Sequence, residues 1–117
     1  MQQDFEAVVL RGSTPTTTTL VLRGELDLAA AGVANQAVDV ALAEPADTYV
    51  LDLADLRHLS AAGTSPLVRL AVVARGLGAR VTARRAGSLT AVVLRMTPIE
   101  LDEIGTAGDG GYRVPAA

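Results

Sequence analysis

Nucleophilic catalysis of the Ser-His-Asp or Cys-His kind needs an imidazole or a thiol, and this chain of 117 residues holds one histidine, His58, and no cysteine. His58 stands beside Arg57 in the connection that follows a strand-like run, and it reads as a loop or packing residue. A general base for any other reaction would have to be a carboxylate. Asp52 and Asp55 lie near His58, but neither the His-x-x-x-His nor the EF-hand spacing occurs, so no metal set is expected. Asp52 alternates with Val50 along a strand and reads as structural. All 10 basic residues are Arg, which removes Schiff-base chemistry and the P-loop lysine. Gly76-Leu77-Gly78 follows a helical pattern instead of preceding one, which suits a helix stop and not a phosphate loop. Arg80, Arg84 and Arg85 read as solvated surface. No catalytic, cofactor-binding or metal residue is assigned.

Two stretches remain, each where a strand gives way to a helix. The first is Leu22-Arg23-Gly24-Glu25-Leu26-Asp27, with Asp27 where an N-cap would sit. The second runs from Leu51-Asp52-Leu53 through Ser60-Ala61-Ala62-Gly63 into the next helix. Strand C-termini beside helix N-termini are where α/β folds place their sites, because free amides and the helix dipole point outward there.

The elements that must position these stretches are legible in the pattern. Phe5 to Leu10 and Leu20 to Leu26 are short apolar runs around a turn-forming Gly-Ser-Thr-Pro-Thr-Thr, which predicts a hairpin. Between Ala29 and Ala43, residues Ala30, Val33, Ala34, Ala37, Val40 and Ala41 follow three-and-four spacing, one stripe of a helix stopped by Pro45. Thr48 to Leu53 is apolar on both faces, as a central strand is. Gly63 to Arg75 is a helix with Leu67, Leu70, Ala71, Ala74 and Leu77 on one side, and Ala79 to Ala83 a strand parallel to the central one. Ser88 could cap a helix to Met96, and Ile99 to Ile104 fits either a strand or a helical turn. The expected fold class is α/β, one domain at residues 1–104 with a mixed four- to five-stranded sheet and three to four helices, followed by a flexible Gly- and Ala-rich tail at 105–117.

Composition narrows the function classes. With 21 Ala, 16 Leu and 14 Val against 2 Tyr, 1 Phe and no Trp, the core is built from small aliphatics and no stacking platform exists. That absence and a net charge of -3 count against direct nucleic-acid binding. The acidic start Met1-Gln2-Gln3-Asp4-Phe5-Glu6 does not fit a signal peptide, and no apolar run reaches the ~20 residues of a membrane span. A cytoplasmic location is expected, in keeping with the absence of cysteine.

The two stretches and the order of elements resemble the STAS domain, a family named for sulphate transporters and anti-sigma factor antagonists. Gly24-Glu25-Leu26-Asp27 matches one family signature and Val50-Leu51-Asp52-Leu53 another, over a resemblance that spans roughly residues 5 to 104. The family's third signature, Asp-Ser-Ser-Gly, aligns with Ser60-Ala61-Ala62-Gly63. Its first Ser is phosphorylated in the antagonists, and Ala61 stands in that place.

The resemblance implies a bacterial, non-enzymatic interaction module without a cofactor, acting in partner switching and transcription regulation. Its expected partner is an anti-sigma factor or a serine-kinase-like ATP-binding protein, engaged through Asp27, Ser60, Ala61, Ala62, Gly63, Thr64 and Ser65. Ser60, Thr64 and Ser65 are alternative phosphoacceptors close to the vacant position. The other reading is an accessory STAS subunit of a lipid or anion transport system. Family members commonly carry one more helix after the last strand. Here Gly-rich residues follow instead, which leaves three readings open: an apolar patch for a partner, one for a homodimer, or a sequence that stops short of that helix.

Overall fold

The computed structural model describes residues 4–12, 17–95, 97 and 99–101. The tail expected at 105–117 and the place of the additional helix lie outside them. Strict alternation builds the sheet. In β2 (Thr17–Leu26), residues Thr18, Leu20, Leu22, Gly24 and Leu26 are buried and their neighbours point to the other face. The strand starts at Thr17, not at Leu20 as expected, because the β-branched Thr17, Thr18 and Thr19 extend it. β1 (Phe5–Arg11) pairs antiparallel with β2, from Phe5 opposite Gly24 to Arg11 opposite Thr18. β3 (Thr48–Leu59), β4 (Arg80–Arg84) and the two-residue β5 (Glu100–Leu101) join in parallel, giving the order β1-β2-β3-β4-β5. The sheet is mixed, as expected. Among the described residues its full-length strands are four, β1 to β4; of the stretch expected as a strand or a helical turn, Glu100 and Leu101 are strand and residues 102–104 lie outside the described residues.

Among the described residues only two helices are of full length, where three to four are expected. Two helices, α1 (Ala31–Leu42) and α2 (Ala61–Gly76), carry the packing, and α3 (Ser88–Leu94) is a short piece of 7 residues. All three share one core with a single face of the sheet. Leu20, Leu22, Leu51, Leu53, Val81 and Ala83 meet Ala34, Val38 and Ala41 of α1, Leu67, Leu70, Ala71 and Ala74 of α2, and Ala91 and Leu94 of α3. Alanine on the helices lets them sit close to the leucine-rich strands. The predicted stripe of α1 is corrected at two positions: Val33 and Val40 are exposed, and Val38 takes the buried place.

β3 runs past the expected strand end at Leu53, and the segment from Ala54 to Leu59, a connection by its pattern, is strand as well. Its register against β2 slips between Val21 and Arg23 and again between Gly24 and Glu25. Each slip is a bulge that gives β3 an extra residue. Leu53, Leu56 and Leu59 are consequently buried at a spacing of three, with Ala54, Asp55, Arg57 and His58 exposed between them. Asp52 Oδ1 accepts the Ala54 N–H at 3.2 Å, serving an amide that the first bulge displaces.

Gly24 is required where β1 passes β2. Its φ is +94°, and a Cβ there would stand 2.2 Å from the Asp4 carbonyl oxygen.

Candidate functional site

β2 and β3 are parallel neighbours with Leu26 opposite Leu59, so both chains leave the same edge of the sheet at adjacent points. Asp27 follows one strand and Ser60 the other, and the Ser60 amide donates to the Leu26 carbonyl at 3.0 Å. Asp27 does not cap α1, which starts only at Ala31 with Ala30 as its N-cap. A turn intervenes, and Asp27 closes it: the Ala30 amide donates to Asp27 Oδ1 and to the Asp27 carbonyl, each at 3.1 Å.

Ser60 is the N-cap of α2, with extended backbone and its Oγ accepting from the Gly63 amide at 3.0 Å. Thr64 sends both its amide, at 3.1 Å, and its Oγ1, at 2.9 Å, to the Ser60 carbonyl. Gly63 lies over the end of β2, where a Cβ would be 2.1 Å from the Leu26 oxygen and 2.6 Å from the Leu26 carbonyl carbon. The seven site residues therefore divide. Gly63 and Thr64 are buried and hold the helix start against the sheet, whereas Ala61, Ala62 and Ser65 are exposed, with Asp27 and Ser60 half-buried beside them. Gly63 is closed off by the Leu26 backbone, whereas Thr64, although buried, still borders a groove beside Ala61 and Ser65.

Beyond the helix start, the exposed side of α2 continues through Val68, Arg69 and Val72 as the wall of a shallow groove that also takes in Ala61 and Ser65. Arg69 is held in place: Nε donates to Asn35 Oδ1 and Nη2 to the Asn35 carbonyl, both at 3.0 Å, and Nη2 lies 2.8 Å from Asp39. These three residues were not singled out in the sequence, although Ala61, Ser65, Val68 and Val72 follow four-three-four spacing on the side opposite the core stripe. Pro66 lies inside α2 and has no N–H, so the carbonyl of exposed Ala62 lacks the usual i+4 donor.

The remaining candidates do not converge on this site. His58 is exposed on β3 opposite Glu25. Asp52, largely buried, pairs with Arg85, a residue at φ +60°. Asp55 pairs with Arg23 at 3.5 Å, and Arg57 joins Asp4 and, at 3.9 Å, Glu25. Arg80 donates to Glu100 at 2.7 Å. That hydrogen bond holds the Glu100 carboxyl below its ordinary range and lifts the Arg80 guanidinium above its own. Among the described residues no group of three His, Cys, Asp or Glu is placed to hold a metal ion. Gly78, at φ +86°, follows α2 as a helix stop.

A family profile described as "Mlab, STAS domain" matches residues 9–103. Among curated proteins no sequence match is found. Among solved structures the chain is similar to an antisigma-factor antagonist STAS domain from Rhodobacter sphaeroides, at 19% identity and TM-score 0.59 over 68% of this chain and 84% of that one. It is similar to an anti-sigma factor antagonist from Mycobacterium paratuberculosis at 18% identity and TM-score 0.62, over 82% and 85%. A third is the anti-sigma factor antagonist SpoIIAA in its unphosphorylated form, at 15% identity and TM-score 0.65 over 78% and 79%. SpoIIAA of Bacillus is also solved in a phosphorylated form. At these identities the likeness is one of fold.

Proposed function

The chain belongs to the STAS domain family, and on that premise we propose that it is a non-enzymatic, cytoplasmic interaction module acting as an anti-sigma factor antagonist in a partner-switching system. Its partner would be an anti-sigma factor or a serine-kinase-like ATP-binding protein. The observation that carries the reading is the exposed start of α2, where Ala61, Ala62 and Ser65 stand beside Asp27 and Ser60 at one edge of the sheet. Gly63 and Thr64 set the height and direction of that surface, with Thr64 at the border of its groove.

Phosphate at such a surface adds about -1.5 to -2 charge and blocks an apolar or acidic partner. Ala61 offers only a methyl group, so the surface stays in its binding form at the position where the antagonists switch. The test is a titration of the purified chain with the ATP-binding anti-sigma factor encoded nearest its gene, followed by intact-mass measurement after incubation with ATP. Saturable binding, weakened at least tenfold by Ser65→Glu and accompanied by no added phosphate, is the expected result. No binding overturns the antagonist reading. Binding with a phosphate added at Ser60, Thr64 or Ser65 overturns only the absence of a switch.

Ala61 also favours a second reading, because a transport accessory subunit needs a constant docking surface and no regulated serine. In that case the chain binds the ATPase or permease of a lipid or anion transport system and ignores anti-sigma factors. No helix among the described residues is long and apolar enough to cross a membrane.

A further inference from the structure

A cleft of about 480 Å³ lies at the end of the sheet opposite the start of α2, where α1 ends, β3 begins and α2 stops. Leu42, Pro45, Ala46, Tyr49 and Leu77 give it apolar walls, and its volume is in the range of small-molecule sites. Leu77 follows the last residue of α2 and is 70% exposed, an apolar side chain left in water beside the cleft. The 16 residues of α2 put roughly 24 Å between Leu77 and the helix start.

The polar groups at its border favour one sign of charge. Asp47 is the only charged residue among those lining the cleft, it is exposed, and among the described residues no ion pair reaches it. The arginines of adjoining strands are committed elsewhere. Arg80 donates its amide to the Asp47 carbonyl at 2.9 Å but sends its guanidinium to Glu100, and Arg11 reaches the Val40 and Ala41 carbonyls and Glu44. The next carbonyls of α1, at Leu42 and Ala43, receive no backbone donor among the described residues, at the end where the helix dipole is negative. Tyr49, 1% exposed, directs its O–H to the Glu44 carbonyl at 3.2 Å, which leaves the phenol oxygen as an acceptor.

We propose that this cleft is a ligand site for a small organic cation, a primary ammonium on an apolar body. The ammonium would sit against Asp47 and the end of α1, and the body among Leu42, Tyr49 and Leu77. An unpaired carboxylate, helix-end carbonyls without donors and an acceptor phenol oxygen together suit a positive group rich in N–H, whereas an anion meets like charge. The apolar walls matter as much, because an exposed ion pair alone contributes little. The cleft stands at the other end of α2 from the docking surface, so this site is independent of the functional reading.

Amide chemical-shift titration of the full chain with phenethylammonium tests it, with 2-phenylethanol and phenylacetate as neutral and anionic probes of the same body. The expected result is saturable shifts centred on Ala43, Ala46, Asp47 and Leu77, with an affinity about tenfold or more above those of the alcohol and the acid. Asp47→Asn keeps the shape and removes the charge; it is expected to cut the affinity for the amine to that for the alcohol and to leave the alcohol unaffected. Leu77→Ser, at an exposed position, should weaken the amine and the alcohol alike, a second readout that leaves the charge in place. No saturation by phenethylammonium up to about 10 mM overturns the proposal. Equal affinities for the three probes, largest shifts outside the cleft, or an Asp47→Asn variant that binds the amine as tightly as wild type overturn it as well.

Discussion

Gly63 and Leu26 meet backbone to backbone: a Cβ on residue 63 would stand 2.1 Å from the Leu26 carbonyl oxygen and 3.0 Å from Leu26 Cγ. The contact joins the first turn of α2 to the end of β2, and it is what glycine supplies at the close of Ser60-Ala61-Ala62-Gly63. Neither partner is the tip of a flexible side chain, so any side chain at residue 63 must push the helix off the strand. Gly63→Ala is expected to lower stability by about 1–3 kcal/mol, the range for overpacking. Urea unfolding at a fixed protein concentration measures it. Ala62→Ser, one residue away and exposed, should stay within about 0.5 kcal/mol of wild type. Equal stability of the two variants would sink the packing role of Gly63.

Arg11 ends β1 and closes α1. Its Nη2 donates to the Val40 carbonyl at 2.7 Å and its Nη1 to the Ala41 carbonyl at 3.1 Å, with Thr18 Oγ1 at 3.2 Å. The last carbonyls of a helix lack intrahelical donors and carry partial negative charge, and α1 has no basic residue in its last turn. Arg11→Met keeps the aliphatic stem and removes the donors, with an expected loss of about 1–2 kcal/mol at this partly exposed site. Arg11→Lys should recover only part of it, since one ammonium cannot span both carbonyls. Full recovery by lysine in the same urea titration would show that charge alone matters.

The sequence made most elements readable and left their relations dark. Strands β2 and β4 alternate in burial and α2 keeps Leu67, Leu70, Ala71 and Ala74 of its expected stripe buried, whereas Leu77 falls past the helix end and is exposed. The second half of β3 was lost because two bulges change its burial period from two to three, and nothing local in Ala54 to Leu59 announces which residue is extra. In α1 alanine and valine occupy most of the circumference, so three-and-four spacing fits Val33 and Val40 as well as Val38. Only the neighbours, Arg69 on one flank and β1 below, decide which face is buried. The site was legible as a string of types. That Gly63 packs and Ala61 is exposed follows from Leu26, a residue far away in the chain.

Acid should loosen the outer edge of the sheet. β5 has two residues, and Glu100 is tied to β4 by the hydrogen bond from Arg80 at 2.7 Å. That bond is the main reason the Glu100 carboxyl titrates below the ordinary glutamate value. A group with a depressed folded pKa contributes its stability above the unfolded pKa and loses it as pH falls through the folded one. An NMR titration is expected to place the Glu100 midpoint below that of an unpaired glutamate, and Arg80→Gln should raise it toward that value. A midpoint that ignores Arg80→Gln would mean that the pair does not form in solution.

A negative charge at residue 61 should act in opposite directions on fold and on docking. α2 has no acidic residue in its first turn, and Ala61 is its first helical residue, exposed beside the free amides of the N-terminus. An acid there interacts favourably with the helix dipole, by about 0.3–1 kcal/mol. Ala61→Glu is therefore expected to unfold at slightly higher urea than wild type. The same side chain stands at the centre of the proposed docking surface, where its charge and bulk imitate part of what phosphate does in a switching antagonist. Binding to the partner should fall at least tenfold while stability rises. That divergence separates a contact surface from a folding defect, since a variant that bound less because it was less folded would lose both together. If Ala61→Glu binds as tightly as Ala61, the partner docks elsewhere on the molecule.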